Sequence, residues 1–414
     1  MNEAAGERPL RCAYLTHFPA WPGEAFLACP GLELVALNPS VLGLPSDRNP
    51  FGLPEDDRAD VALVTAWWHR WLVGQHPDRA DRVMRELERR TTVLVGVDGP
   101  DRFGLYFPPR TIKRFGIVLK LQGVYHDRDL YNYVVGPQYP GAVWTEKRRP
   151  IRPRYGSADL EKLRLSVPCY VTGFPAVRRR FRAQATRTGL GSGRRMSYVE
   201  RFGRNVGENL LAHAMGIAGG NGRRREVHCL VGLSHVQRIE AMRLLDGFSG
   251  TRGILPANWS SPTLISGTEH GGASLPNDVG RELRASADEF SRDPMGRLRF
   301  LLDLRRHRVG FSPTGYGELC HRHGEVMLSG AALVCQDLSD VKMMHQFKDG
   351  ENVVYCRPDL SDLRARVEEL LSDDALRMRI ARAGRRSYMD WARGWRDHLR
   401  KGIEAHIHEA VERK

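Results

Sequence analysis

The chain lacks any run of about eighteen apolar residues, so no segment is expected to cross a bilayer as a helix. Its start, MNEAAGERPLRC, has no charged-then-apolar leader. It has no C-x-x-C pair. The seven cysteines, at 12, 29, 169, 229, 320, 335 and 356, are scattered and odd in number. That excludes a zinc ribbon and a disulfide framework, and fits reduced thiols in a cytoplasmic protein. No solenoid period repeats along the 414 residues, which suffice for two or three domains with sizeable cores. Acidic charge is the minority: 49 Asp and Glu stand against 63 Lys and Arg, for a formal charge of +14. Such an excess suits nucleic acid, anionic lipid or phosphorylated small substrates. No nucleic-acid-binding module accompanies it, so an anionic small substrate is the expected partner and nucleic acid is not. Peripheral membrane contact and oligomeric state stay open.

The chain does contain short apolar runs alternating with helical or irregular stretches. Arg11 to Thr16, Leu32 to Leu37, Asp60 to Ala66, Thr91 to Val97 and Ile117 to Leu121 read as five strands. Between the third and fourth, Gln75 to Arg90 carries Val83, Met84 and Leu87 at helical spacing. Continuous apolar strands with helical crossovers predict a parallel sheet covered on both faces, with ligands at the strands' carboxyl ends.

Several chemistry-bearing residues fall at those ends. His17 follows the first strand, Trp67-Trp68-His69 the third, Asp98-Gly99 the fourth, and Gln122 to Asp129, including Tyr125, the fifth. Each has a plain structural role available: core aromatics at a helix start, a turn, a hydrogen-bonded histidine. Together they supply aromatic faces and hydroxyl-binding groups for a polar ring-shaped acceptor. Trp67, Trp68, His69 and Tyr125 are the expected acceptor-binding residues. His17 and Asp98 are catalytic candidates. Asp127-Arg128-Asp129 spells D-x-D, but in this acceptor half, so no metal site is assigned to it.

Gly136 to Tyr155 is rich in proline, glycine and arginine and reads as loop. Asp159 to Leu165 is expected as a short helix, and Cys169 to Thr172 as a short strand. Val177 to Arg225 is basic and reads as an interdomain connection. Glu226 to Gly232 then starts a second sheet, Ser234 caps a helix from His235 through Leu245, and Arg238 sits where a first-strand loop would meet an anion. Leu255 to Gly272 is loop-like, and Leu298 to Arg306 helical. Near the end, Asp359 and Asp362 suggest a capping box for the helix bearing Leu363, Val367 and Leu370.

The stretch from Val309 to Asp337 organises this half. A strand, Val309 to Phe311, leads into Ser312-Pro313-Thr314-Gly315-Tyr316-Gly317, then a helix from Glu318 to Ser329 stopped by Gly330, then a buried strand, Ala331 to Cys335. A glycine loop before a helix offers N–H groups to phosphate. Arg322 and Glu325, at i and i+3, share a face near that end. A guanidinium for phosphate and a carboxylate for hydroxyls suit a nucleotide-linked sugar, whereas the plainer alternative is an ordinary i,i+3 ion pair.

This stretch, with Phe347 to Asn352 and the helix after Asp359, resembles the C-terminal domain of GT-B glycosyltransferases, of the group-1 and spore-maturation-like branch. The shared pattern is Gly315-Tyr316-Gly317, then Arg322-x-x-Glu325 with Gly330, then the F-x-D-G-x-N turn from Phe347. The likeness covers about the last third of the chain. Many retaining members carry two glutamates with seven residues between. Here Glu318 and Glu325 have six between them, and Gly317 stands where the first would fall.

The resemblance implies an α/β fold of two facing Rossmann-like doubly wound domains with a cleft between. Its expected divisions are an acceptor domain over 1–222 with its connection at 177–222, a nucleotide-sugar domain over 223–385, and a crossing-back helix over 386–414. It further implies a bacterial glycosyltransferase using a nucleotide-diphosphate sugar such as a UDP-sugar, with a hydroxylated acceptor such as a natural product or nucleoside. Such enzymes are retaining and need no metal or other cofactor. Arg238, Thr314, Gly315, Tyr316, Gly317, Arg322 and Glu325 would hold the donor, with Glu325 also catalytic. Three other readings stay open: a GT-B-shaped binding or structural protein without turnover, a nucleic-acid-binding protein, and a nucleotide-sugar epimerase.

Overall fold

The computed structural model describes residues 8–16, 26, 29, 31–39, 57–99, 104–134, 149–167, 225–232, 236–250, 252–255, 297–314 and 319–414. His17, Ser234, Gly315, Tyr316, Gly317, Glu318, the expected strand at 169–172 and the basic connection at 177–222 lie outside them.

The first half begins with β1 (Leu10–Thr16), β2 (Leu32–Pro39) and β3 (Ala59–Thr65). Helices α1 (Ala66–Gln75) and α2 (Pro77–Arg90) lead to β4 (Thr91–Asp98) and β5 (Ile117–Lys120). A two-residue strand, β6 (Val124–Tyr125), and β7 (Leu163–Leu165) follow. The main sheet has six parallel strands in the order β2-β1-β3-β4-β5-β7. β3 and β4 are buried along nearly their whole length, as a sheet covered on both faces requires. Helix α2 follows the predicted stripe, burying Val83, Met84 and Leu87. The expected helix over Asp159 to Leu165 is instead one turn, Ser157–Leu160, followed by β7. Leu163 is buried in the added edge strand, a burial that short-range periodicity could not reveal.

The second half runs β8 (Arg225–Gly232), α3 (Val236–Leu244), β9 (Arg252–Leu255), α4 (Arg297–Leu304), β10 (His307–Ser312) and α5 (His321–Ser329). Then come β11 (Ala332–Gln336), β12 (Val341–Lys342), β13 (Val354–Cys356), α6 (Leu363–Ser372), α7 (Asp374–Arg393) and α8 (Ala405–Glu412). Five strands form a second parallel sheet, β9-β8-β10-β11-β13. The fold is therefore α/β with two parallel sheets, as expected. β9 and β13 were not anticipated. They flank the sheet and have four and three residues, too few to show a period. Gly330 ends α5 at φ 74°, donating its N–H to Met327 O at 3.0 Å. Asp362 does precede α6, but its carboxylate accepts from Arg357 N at 2.7 Å and from Arg366 Nε at 3.2 Å and not from a helix backbone N–H, so no capping box forms. No described helix is long and apolar enough to cross a membrane.

Three contacts tie the halves together. β6 and β12 pair antiparallel, Tyr125 opposite Val341, and His126 N donates to Asp340 O at 3.0 Å. Gly123, at φ 148°, allows that approach: a Cβ there would lie 2.5 Å from Val341. The chain's end returns to the first sheet, where α8 packs on β3, β4 and β5. Leu399, Ile403, Ile407 and Ala410 are buried there, at roughly 1.5–3 kcal/mol per larger side chain. Polar contacts fix the seam: Gly31 N donates to Glu404 Oε1 at 2.9 Å, and Arg164 pairs with Glu409 at 3.2 Å.

Candidate functional site

The site forms where β8, β10 and β11 of the second sheet end. β10 delivers Ser312 to Thr314 at its carboxyl end. Thr314 is clamped from both sides. Its N–H donates to Gln336 Oε1 at 2.8 Å, and its carbonyl accepts from Arg238 Nε at 3.0 Å. Gln336 in turn donates from Nε2 to Pro358 O at 2.6 Å. The backbone at the end of β10 is thus fixed by side chains from β11 and α3. Arg238 positions that loop through backbone contact while its positive charge lies beside the strand end.

Helix α5 begins one step further on. Cys320 is its N-cap, and the cap is made by a ring, not a hydroxyl: Cys320 N donates to His323 Nδ1 at 3.2 Å. Ser312 Oγ lies 3.1 Å from the same nitrogen and 3.2 Å from Cys320 Sγ. Burial pushes the Cys320 thiol up. The adjoining His323 ring, and then Arg322 and Arg238, outweigh that and bring it to about 6. Arg322 lies with its guanidinium 5.8 Å from the Phe300 ring centre, and its buried Nε has no partner. It is not paired with Glu325, so the ordinary i,i+3 ion pair is not what holds these two residues. Glu325 is only 7% exposed, one turn into the helix.

Beside this helix lies a small pocket. Its walls come from distant parts of the chain: Gln122 after β5, Cys320 and His323 of α5, His345 and Phe347 after β12, and Trp391 of α7. The pocket therefore spans the two halves. Buried polar atoms on its lining residues without a protein partner include His323 Nε2, His345 Nδ1 and Trp391 Nε1. His345 Nε2 is fixed by Ser387 Oγ at 3.0 Å, and burial lowers its pKa to about 4, so the ring is neutral at pH 7.

Residues expected at the carboxyl edge of the first sheet are placed differently. Helix α1 starts directly after β3, so Trp67, Trp68 and His69 lie in its opening turns. Trp68 is 0% exposed and packs against Trp71, which removes it from any acceptor surface. His69 is buried too, 3.2 Å from Thr111 Oγ1 and edge-on to Phe107. Burial, then Arg110 and Arg114, lower its pKa to about 4. Asp98 is sealed in an ion pair with Lys120, Oδ1 to Nζ 3.0 Å, with both side chains fully buried. Its other oxygen accepts from Tyr106 N at 2.8 Å, so the carboxylate has no oxygen left for chemistry. Tyr125 is buried against Tyr131 in the seam strand. Among the described residues expected at this edge, Trp67 alone keeps an exposed ring, 37% exposed beside Tyr106. The D-x-D pair is structural as well: Asp127 accepts from Asp129 N at 2.9 Å, and Asp129 from Asn132 Nδ2 at 3.0 Å. No cluster able to hold a metal ion occurs among the described residues.

Sequence reasoning missed Cys320, His323, Gln336 and His345. Cys320 and His323 stand at i and i+3 at a helix start, a legible spacing for a side-chain cap. Gln336 closing an apolar strand was a polar residue at a ligand edge. His345 carried no local signal.

No protein-family model matches the sequence, and no curated protein matches it. Among solved structures, the chain is similar to a glycosyltransferase from Rickettsia africae, at 8% identity and a TM-score of 0.48, covering 99% of this chain and 100% of that one. It is also similar to Anabaena HepE in complex with UDP-glucose, at 10% identity and a TM-score of 0.40, over 84% and 79% of the two chains. A UDP-forming α,α-trehalose-phosphate synthase from Burkholderia vietnamiensis is similar at 12% identity and a TM-score of 0.42, over 85% and 72%.

Proposed function

We propose that the protein is a glycosyltransferase that takes a glycosyl group from a nucleotide-diphosphate sugar, a UDP-sugar among the candidates, and passes it to a hydroxyl of a polar acceptor. The observation that carries this reading is the gathering of cationic groups at one edge of the second parallel sheet. Arg238 and Arg322 both bear electrostatically on Cys320 at the start of α5, with buried Glu325 one turn on. A helix start flanked by arginines favours a diphosphate. Breaking the anomeric C–O bond builds positive charge on the sugar and negative charge on the leaving diphosphate. In this reading the arginines and helix N–H groups stabilise the leaving group. Glu325 accepts hydroxyls of the donor. The 315–317 loop, which the resemblance assigns to the donor, lies directly before these groups. Trp67 is left as the acceptor-side aromatic.

The acceptor as a natural product or nucleoside, retention at the anomeric carbon, independence of metal, and a bacterial cytoplasmic setting belong to the same proposal. So does the division at 1–222, 223–385 and 386–414. Free cysteines suit a reducing compartment. The test is a panel of uridine, guanosine and thymidine diphosphates and their sugars, read by calorimetry and thermal shift. Ligand at a hundred times its Kd stabilises the fold by about 2.7 kcal/mol. Failure of every diphosphate to bind removes the donor site. Transfer unaffected by a chelator supports the metal-free mechanism. A second reading, a binding protein of the same shape without turnover, is favoured by Asp98 being sealed in its ion pair. Tight donor binding with neither transfer nor hydrolysis would select it.

A further inference from the structure

Cys12, Cys29, Cys229, Cys335 and Cys356 are buried, and burial pushes up the thiols of Cys12, Cys229, Cys335 and Cys356. Cys320 differs on each count. It is partly exposed, it opens α5, and its sulfur lies 3.2 Å from Ser312 Oγ and 3.6 Å from His323 Nδ1. Imidazole and two guanidinium groups favour the thiolate, the reactive form. A second observation concerns the space beside the sulfur. Cys320 and His323 line the same pocket, and His323 is 1% exposed with its Nε2 unpartnered. His345, also on that lining, has Nδ1 unpartnered. A small molecule carrying both hydrogen-bond donors and acceptors would find partners there, next to a nucleophile.

We propose that Cys320 is a modification site: a nucleophilic cysteine that hydroperoxides oxidise reversibly to the sulfenic acid, loosening the start of α5. The thiolate attacks one peroxide oxygen. The S–O bond forms as the O–O bond breaks, and the electron pair leaves on the second oxygen as hydroxide (alkoxide from an alkyl hydroperoxide), which takes a proton to become water (or the alcohol). Sulfur loses two electrons and the peroxide gains them. A dithiol reverses the step, giving thiol, disulfide and water. The added oxygen must fit among Ser312 Oγ, His323 Nδ1 and Sγ. That is where His323 now accepts the N–H of Cys320 to cap the helix. Oxidation therefore competes with the cap. Its further consequence, weaker nucleotide binding beside Arg322, rests on the function proposed above.

The test uses the full chain. Alkylation of each cysteine by iodoacetamide is followed by peptide mass spectrometry from pH 5 to 9, and hydrogen peroxide oxidation by a sulfenic-trapping 1,3-dione. Cys320 should label with a midpoint near pH 6, against about 8.5 for an ordinary thiol. It should be the first cysteine oxidised. His323→Gln should slow its labelling at pH 6.5 by about threefold or more, as a midpoint raised by a unit or more requires. Arg322→Gln, which leaves the cap in place, should slow it less. Oxidation should speed hydrogen exchange at 321–324 and weaken nucleotide binding, both restored by dithiothreitol and both absent in Cys320→Ser. A wild-type midpoint at 8.5 or above, or unchanged labelling in both variants, would overturn the site. Oxidation that leaves exchange at 321–324 unchanged would overturn the loosening. If reduced protein binds no nucleotide, the failure lies with the proposed function, and the labelling and exchange results still decide this inference.

Discussion

At the carboxyl edge of the first sheet, Asp98 is bound to Lys120 and Tyr106 N, His69 to Thr111, and Trp68 is sealed in the core. At the same edge of the second sheet, Arg322 Nε and His323 Nε2 are buried without partners, and His345 Nδ1 joins them across the pocket. A buried polar group without a partner costs about 1–3 kcal/mol. A fold tolerates several such groups in one place where something else makes use of them. On the function proposed above, Asp98 and His69 at the first edge serve stability and the unpartnered groups of the second edge serve a ligand; Trp68 Nε1, sealed in the core, is unpartnered as well.

The largest expected effect would break that contrast outright. Asp98→Ala removes one partner of a fully buried ion pair and leaves the Lys120 ammonium uncompensated. Urea unfolding should show a loss of about 3–5 kcal/mol. Arg322→Ala, by contrast, deletes a side chain with an unsatisfied nitrogen and should change stability little. If Asp98→Ala unfolds at the wild-type urea concentration, Asp98 returns as a catalytic candidate.

Binding should reverse the ranking. Arg322→Ala should weaken nucleoside diphosphate binding by about 2 kcal/mol, roughly thirtyfold in Kd, if its guanidinium meets the phosphates in a desolvated site. Trp67→Ala should leave that affinity alone, because Trp67 lies at the other edge. Calorimetry with both variants decides it, and equal affinities would remove Arg322 from the phosphate site.

Glu325→Gln should come next. The substitution keeps volume and one acceptor but loses the charge-assisted strength of bonds to donor hydroxyls. Steady-state transfer should fall by at least about tenfold, or about 1.4 kcal/mol of transition-state stabilisation, with little change in melting. Glu318→Gln should cost less. A larger loss in Glu318→Gln would move the site toward the loop.

The two edges were not equally legible. Runs such as Thr91 to Val97 and Ala331 to Cys335 announced their strands because parallel strands buried on both faces must be apolar throughout. Arg322 and Glu325 were legible from helix spacing and a glycine loop. What the chain did not disclose locally was consumption. Nothing near Asp98 says that Lys120, 22 residues on, lies 3.0 Å away. For Trp68 the plainer reading, a core aromatic at a helix start, was legible and is what α1 shows. The pocket was hidden for the same reason. Gln122, His323, His345 and Trp391 meet only after two sheets and a returning helix are assembled.

The smallest effect concerns protons and distinguishes the two edges by their histidines. His69 of the first edge and His345 of the second are both lowered to about 4, chiefly by burial. Unfolded, each returns to about 6.5. Below pH 6.5 the unfolded chain takes up protons that the folded one refuses, so stability falls with falling pH, from about 6.5 down to about 4. At pH 6 each histidine's share is roughly 0.8 kcal/mol. His69→Gln and His345→Gln should each flatten the fall in stability between pH 6.5 and 5, measured by urea unfolding at fixed ionic strength. Their effects at pH 8 should differ. His69→Gln forfeits the bond to Thr111 and His345→Gln the bond to Ser387, but the His345 ring also carries an unsatisfied nitrogen, so its loss should cost less. Equal losses at pH 8 would mean that the unpartnered Nδ1 of His345 imposes no penalty, and the second edge would lose that part of its claim to be built for a ligand.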